Sequence, residues 1–312
     1  MSILTFVFLL LLSNTLFTRK KTDVLNISVI VRGENSESWN IMKEGMEQAA
    51  SEMKVNLNFL TLSKENSVEE QKKLIDREIS GKVDGILISP VDSKAMTEKL
   101  EAASGVMPIV MIESAIDTKE NLQYISCDNY SLGTSLAEEV IKNEGKKNIV
   151  LVKNNLQISS IYERYTGFID AIMETDLNLN FWEISKGKSN LSEEIKNLLE
   201  NSKGKVIVTF DTSILENIGK IKKELQEETG VIYPVSLYGT GTSNKVISYL
   251  EEGIVSATAV QNEFNVGYLG IKTVVDSING KEIEKTTIHS TVVNSENMYS
   301  KENQPLLFPL VK

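Results

Sequence analysis

Cysteine and histidine are nearly absent from the chain: Cys127 and His289 are single occurrences among 312 residues. One cysteine excludes an intrachain disulfide, and one histidine beside it leaves too few ligands for a zinc site of the His and Cys type. Basic residues are in deficit too, 33 against 43 acidic, for a formal charge of -10. Phosphate backbones are bound by concentrated basic faces, so this balance argues against a nucleic-acid partner. Low-complexity tracts and short-period repeats are missing, and charge runs such as residues 220–228 read as solvated helix faces. No catalytic set stands out. His289 falls in a predicted strand without a motif-placed serine or cysteine, and Gly239-Thr240-Gly241-Thr242 lacks both the P-loop lysine and the GxGxxG spacing. The sequence therefore reads as a non-enzyme with no cofactor and no metal.

What is present begins with residues 2–17, almost wholly apolar and followed at once by Arg19-Lys20-Lys21. A run of this length fits an export signal or an uncleaved amino-terminal anchor, with a short buried helix as the alternative. The remainder, at 41% hydrophobic and 24% charged residues, has the composition of a globular protein and the length for two domains.

From Asn26 onwards, short β-branched runs alternate with amphipathic stretches. Ile27-Ser28-Val29-Ile30-Val31 reads as a buried strand delivering a polar loop, residues 32–38, to a helix that begins at Trp39. Strands follow at 55–62, 84–90, 108–112 and 123–126, with helices at 68–80, closed by a left-handed Gly81, and at 92–104, capped by Asp92 or Ser93. After Asp128 the pattern restarts. It gives strands at 148–153, 177–184, 205–210, 235–239, 256–260 and 286–294, and helices at 159–174, 191–201, 213–228, 244–252 and 263–278. A parallel connection needs a crossover of about a dozen residues, so helices of this length between strands imply parallel pairing. Two successive series imply two doubly wound α/β domains whose strand ends face a common cleft.

Several stretches, in order and spacing, resemble bacterial sugar-binding proteins of the ribose and galactose type, the periplasmic binding proteins of type 1 fold. They are the first strand with Trp39-Asn40-Ile41-Met42-Lys43-Glu44-Gly45, then Val83-Asp84-Gly85-Ile86-Leu87-Ile88-Ser89-Pro90, Ile125-Ser126-Cys127-Asp128-Asn129, Glu163-Arg164-Tyr165-Thr166-Gly167-Phe168 and Ala257-Thr258-Ala259-Val260-Gln261. The likeness extends to the ligand domain of the lactose-repressor family, whose amino-terminal helix-turn-helix is replaced here by the apolar run. The resemblance implies a three-segment hinge, with crossings near Cys127-Asp128, Gln261-Asn262 and Lys285. It divides the chain into a signal or anchor (1–23), an amino-terminal lobe (24–127 and 262–285) and a carboxy-terminal lobe (128–261 and 286–312).

A sugar site needs flat aromatic faces and planar charged groups that bond adjacent hydroxyls. The resemblance places Trp39 as a stacking platform, against the alternative of a first-turn residue covering the core. Arg32 and Ser36 share its loop. Arg164 matches a bidentate donor, the alternative being a surface arginine, and Gln261 matches a hinge residue that touches ligand. Glu113-Ser114 stand where the ribose type has Asp-Arg, Asp211 where it has Asn, and Thr240 within Gly239-Thr240-Gly241 where it has Phe-Asp-Gly. These departures leave ribose itself in question and open the site to a ligand carrying an amine or an acid. The function implied is an extracytoplasmic, cell-envelope protein that captures a sugar or similar polar small molecule. It would present that ligand to an ABC permease or a membrane histidine kinase. A cytoplasmic regulator lacking its DNA-binding part, or an enzyme on the same fold, are the alternatives.

Overall fold

The inner strands are short, mostly apolar runs buried on both faces, as a sheet covered by helices on both sides requires. The edge strands Asn56–Thr61, Gln123–Ile125, Leu179–Glu183 and Ser290–Asn294 are only partly buried. In a computed structural model, residues 24–32, 37–184, 190–283 and 286–308 are described. The apolar run at 2–17 lies outside them, and no described helix is long and apolar enough to cross a membrane. Strands β1 (Asn26–Val31), β2 (Asn56–Thr61), β3 (Gly85–Ile88), β4 (Ile109–Ile112) and β5 (Gln123–Ile125) form a parallel sheet in the order β2-β1-β3-β4-β5. The second sheet contains β6 (Ile149–Lys153), β7 (Leu179–Glu183), β8 (Val206–Thr209), β9 (Ser236–Thr240), β10 (Ala257–Gln261) and β11 (Ser290–Asn294). Its order is β11-β10-β9-β8-β6-β7. Apart from β11, both sheets follow one plan: the first strand lies second from the edge, and the winding reverses beside it.

β11 departs from the parallel pairing expected from helical crossovers: it runs antiparallel to β10, with Ser290 opposite Gln261. The chain re-enters this sheet at the carboxyl end of β10, so its only available direction is the reverse one.

The helices are α1 (Glu37–Met53), α2 (Val68–Ser80), α3 (Thr97–Ser104), α4 (Asn129–Glu144), α5 (Ser159–Met173), α6 (Leu191–Asn201), α7 (Thr212–Thr229), α8 (Asn244–Glu251), α9 (Glu263–Ile278) and a short α10 (Gln304–Leu307). α4 was not anticipated from the sequence. α3 starts later than expected because Asp92 accepts from the amides of Lys94 and Ala95 and holds a separate turn ahead of it. α2 ends differently too. Gly81 stays right-handed at φ -72, and the reversal falls on Lys82 at φ 56, because the Gly81 amide still bonds back to the Arg77 carbonyl.

Two helix pairs cross at backbone contact. On α1 and α9, a Cβ on Gly45 would lie 2.0 Å from the Phe264 carbonyl oxygen, and one on Gly267 would lie 1.9 Å from that of Met42. On α4 and α5, Gly133 and Gly167 stand in the same relation to the carbonyls of Arg164 and Tyr130, at 2.0 and 2.1 Å. The same device thus seats one pair over the first sheet, where α9 packs on β3 and β4, and the other over the second, where α4 packs on β10 and β11. The crossings also fix the start of α1, which carries Trp39, and the turn of α5 that carries Arg164.

Replacing Gly267 or Gly133 by alanine should cost about 3 kcal/mol, the upper end of overpacking losses, since backbone rather than a side chain must yield. Gly105→Ala, where the nearest atom is 3.5 Å away, should change stability by less than about 0.5 kcal/mol. Urea unfolding of the three variants checks both.

Candidate ligand cleft

In an open α/β sheet the crevice lies beyond the carboxyl ends of the strands, where the winding reverses. Here those points are β1 beside β3 and β6 beside β8, and the loops leaving them face one another. Between them is a cleft of about 1040 Å³ lined from both sheets. Arg32 follows β1, Asn154 and Asn155 follow β6, and Phe210 and Asp211 follow β8. Trp39, Arg164, Gln261 and Glu263 complete the working surface.

Glu113, just after β4, is the most constrained residue in the cleft. Its φ is 63, a left-handed conformation that costs a side-chain-bearing residue about 1–2 kcal/mol. The surroundings hold it there. Its amide donates to the Ile125 carbonyl, while its own carbonyl accepts from the hydroxyls of Tyr124 at 2.8 Å and Ser126 at 3.3 Å. The carboxylate receives Arg32 Nη2 at 2.6 Å, Ser89 Oγ at 2.9 Å and Ser160 Oγ at 3.2 Å. Asn66 and Asn155, also on the cleft wall, have φ of 56 and 52. Clustering of such backbone in one place is typical of functional surfaces.

Ser160 begins the second-sheet helix α5, so Glu113 joins the two halves. Other bonds follow the same seam. The Ser93 amide donates to the Gln157 carbonyl at 2.8 Å, the Ala115 amide to Ser159 Oγ at 2.7 Å, and the Ser114 and Ser160 hydroxyls meet at 2.9 Å. One flank of the cleft is therefore closed by direct hydrogen bonds.

The far wall is stiffened by Asp211. Its Oδ1 accepts from the amides of Ser213 and Ile214 and caps α7. Its Oδ2 accepts from Asn154 Nδ2 at 2.8 Å and Asn155 Nδ2 at 2.7 Å. Arg164 is buried, and its Nε donates to Asn129 Oδ1 at 2.8 Å. At the rim, Glu70 accepts from the amides of Ser63 and Lys64, which holds its carboxyl below the usual carboxylate range and fixes that loop.

Three chain crossings meet at the base and bond to one another. Gln261 Oε1 accepts from the Cys127 amide at 3.4 Å, the Asn262 amide donates to the His289 carbonyl at 3.0 Å, and the Ile288 amide donates to that of Ser126 at 3.3 Å. The third segment is thus seen at Ile288-His289, and His289 precedes β11 rather than lying within a strand; Lys285 lies outside the described residues. Gln261 Nε2 points to both oxygens of Glu263, each at 3.3 Å. Loss of water around Glu263, with the Glu113 charge nearby, pushes its carboxyl up to about 7 against the opposing pull of Arg164, Gln261 and Arg32.

Of the residues singled out in the sequence, Arg32, Trp39, Glu113, Arg164, Asp211, Thr240 and Gln261 line the cleft. Trp39 does so while also packing on the core. Ser114 does not line the cleft; it is buried against Ser160. Ser36 lies outside the described residues. Asn154, Asn155, Phe210 and Glu263 were not foreseen. The first three are strand-end residues in the same topological position as Arg32, which is the signal that would have found them. Among the described residues no group of His, Cys, Asp or Glu has the arrangement of a metal site.

Two lobes of one winding plan, joined by three mutually bonded crossings around a polar cleft, are the architecture of the type 1 periplasmic binding proteins. Residues 27–282 match the periplasmic binding protein domain, and the chain belongs to that family, with its type 1 fold. It is similar to the ribose import binding protein RbsB of Bacillus subtilis (strain 168), at 22% identity over 276 residues, covering 86% of this chain and 85% of the relative. A carbohydrate transporter solute-binding protein from Agrobacterium radiobacter, solved with D-arabinose, shares the fold with a TM-score of 0.81. Its identity is 22%, covering 92% of this chain and 99% of that one. The protein in the XylFII-LytSN complex shares it with a TM-score of 0.76 and 23% identity, covering 88% and 98%.

Asp211→Ala should destabilise the protein by about 1–2 kcal/mol through loss of the α7 cap. Asp211→Asn keeps a capping oxygen and should lose less than half as much. Thermal melts of the two variants beside the parent rank them.

Proposed function

We propose that this protein captures a sugar or a similar polar small molecule between its lobes, outside the cytoplasmic membrane, and presents it to a membrane partner by hinge closure. The observation that carries this reading is the cleft itself: a polar enclosure between hinged lobes, with aromatic faces and fork-shaped donors on its walls. Trp39 and Phe210 come from opposite lobes and suit the apolar faces of a sugar ring. The guanidinium of Arg164 suits a pair of adjacent oxygens. Arg32 Nε and Thr240 Oγ1 are buried without a hydrogen-bond partner among the described residues, and an unmet buried polar atom costs about 1–3 kcal/mol. A polyhydroxylated ligand repays that cost.

The relatives support the same direction. One is a ribose import binding protein and another holds D-arabinose. The partner is an ABC permease, or a membrane histidine kinase for which this chain is the sensing subunit; the XylFII-LytSN assembly is a precedent for a binding protein of this fold in complex with another protein. The seam from Ser93 to Gln157 and from Ala115 to Ser159 supplies the contacts that hold the closed state. The lobes divide at the three crossings, and residues 1–23 serve as the export signal or tether.

A thermal-shift screen of pentoses, hexoses, amino sugars and sugar acids tests the proposal. A ligand at a hundred times its dissociation constant should add about 2.7 kcal/mol. Trp39→Ala and Arg164→Lys should each weaken that ligand at least tenfold by calorimetry. A panel without any stabilisation, or unchanged affinity in both variants, refutes the assignment.

A further inference from the structure

Glu263 is held by weaker hydrogen bonds than the cleft carboxylates Asp211 and Glu113 among the described residues. Asp211 is saturated by two backbone amides and two asparagines, and Glu113 by Arg32 and two serine hydroxyls. Among the described residues, the side-chain hydrogen-bond donor to Glu263 is Gln261 Nε2, shared between its oxygens at 3.3 Å each. An ionised carboxylate offers about four acceptor sites, and Glu263 lines the cleft, where a ligand can reach those that Gln261 leaves. It stands in the first turn of α9 behind the Asn262 cap, directly on a hinge crossing, where the lobes converge on anything they enclose.

The groups facing it come from every surrounding element. Glu113 approaches from the end of β4, Arg32 from the end of β1, Arg164 from α5, and Cys127 from the crossing after β5. The arginines attract its charge and Glu113 repels it. Resting on the sugar-binding reading above, we propose that Glu263 is the specificity-determining residue of the cleft: as a carboxylate it accepts hydrogen bonds from two hydroxyls of a neutral sugar, rejects ligands bearing a carboxylate of their own, and gives up one proton when the ligand binds.

The proton balance follows from the free protein, in which loss of water around this group raises its carboxyl to about 7. Below that pH the free protein carries a proton on Glu263. Two hydroxyl hydrogen bonds favour the charged form, so the sugar-bound carboxyl loses that proton to solvent. Affinity therefore rises with pH up to about 7 and is level above it. A uronic acid brings a second negative charge to the Glu263 and Glu113 pair and is excluded at every pH where Glu263 is ionised.

The test is calorimetric titration of the full exported chain with D-ribose, D-arabinose, D-galactose and D-galacturonate at pH 5.5, 6.5 and 7.5. The measurement at pH 6.5 is repeated in two buffers of different ionisation enthalpy. The neutral sugar that binds should do so about tenfold more weakly at pH 5.5 than at 7.5, and should release about 0.7 proton per ligand at pH 6.5. Glu263→Gln should flatten the profile to within about twofold and abolish proton release, with its melting temperature showing that it is folded. D-galacturonate should give no heat with the parent protein at pH 7.5. A neutral sugar that binds with level affinity and no proton release overturns this inference alone. So does galacturonate binding as tightly as the neutral sugar, or a pH profile that persists in Glu263→Gln. If none of the sugars binds at any pH, this inference and the sugar-binding reading fall together.

Discussion

A glutamate held in left-handed backbone conformation is the constraint on which the cleft depends. Glu113 is placed there by the last backbone bond of the β4 and β5 pairing and by two hydroxyls that grip its carbonyl. That turn aims its carboxylate back across the strand ends, where it collects an arginine and a serine from its own lobe and a serine from the other. With an extended backbone at this position, Arg32 would lose its counter-charge and the seam beside Ser114 would lose its centre. The strain is small beside the three polar groups its carboxylate organises, and burial of most of the ion pair keeps it from being screened as a surface pair would be.

The cleft is accordingly a layered object. Asp211, Asn129 and Glu70 each fix residues of the cleft wall, and Asp211 also lines the cleft itself. Asp211 stiffens Asn154 and Asn155, Asn129 orients Arg164, and Glu70 pins the rim amides. Sugar recognition depends on angles of hydroxyl hydrogen bonds, and prepaid rigidity of this kind is how affinity is gained without additional buried area.

Much of this was legible in the sequence, for identifiable reasons. The helices at 68–80 and 263–278 were read to the residue from their amphipathic spacing, and the structure adds the side-chain caps Ser67 and Asn262 at their starts. The helix at 129–144 was overlooked because four of its five opening residues, Asn129, Tyr130, Ser131 and Gly133, are weak helix formers. Gly133 is there for the approach of α5 rather than for α4 itself, so tertiary packing hides the local signal. Cleft residues that sit in a recognisable motif, Trp39 and Arg164 above all, were named in advance. Glu263 was not, since nothing in its local sequence distinguishes a carboxylate at a helix start from the ordinary favourable placement of one there; only the convergence of Glu113, Arg164 and Gln261 in space does so.

The crossing of α1 and α9 also bears on how the chain is made. Met42 and Gly45 touch partners at Phe264 and Gly267, so a helix near the beginning waits for one near the end. As the polypeptide emerges, its first sheet has every strand in hand, yet the part of one face that α9 covers, over β3 and β4, stays open until nearly the whole chain exists. Contacts of such long sequence separation are slow to form. The protein thus carries in its topology a delay that keeps the early part of the chain loosely packed during synthesis.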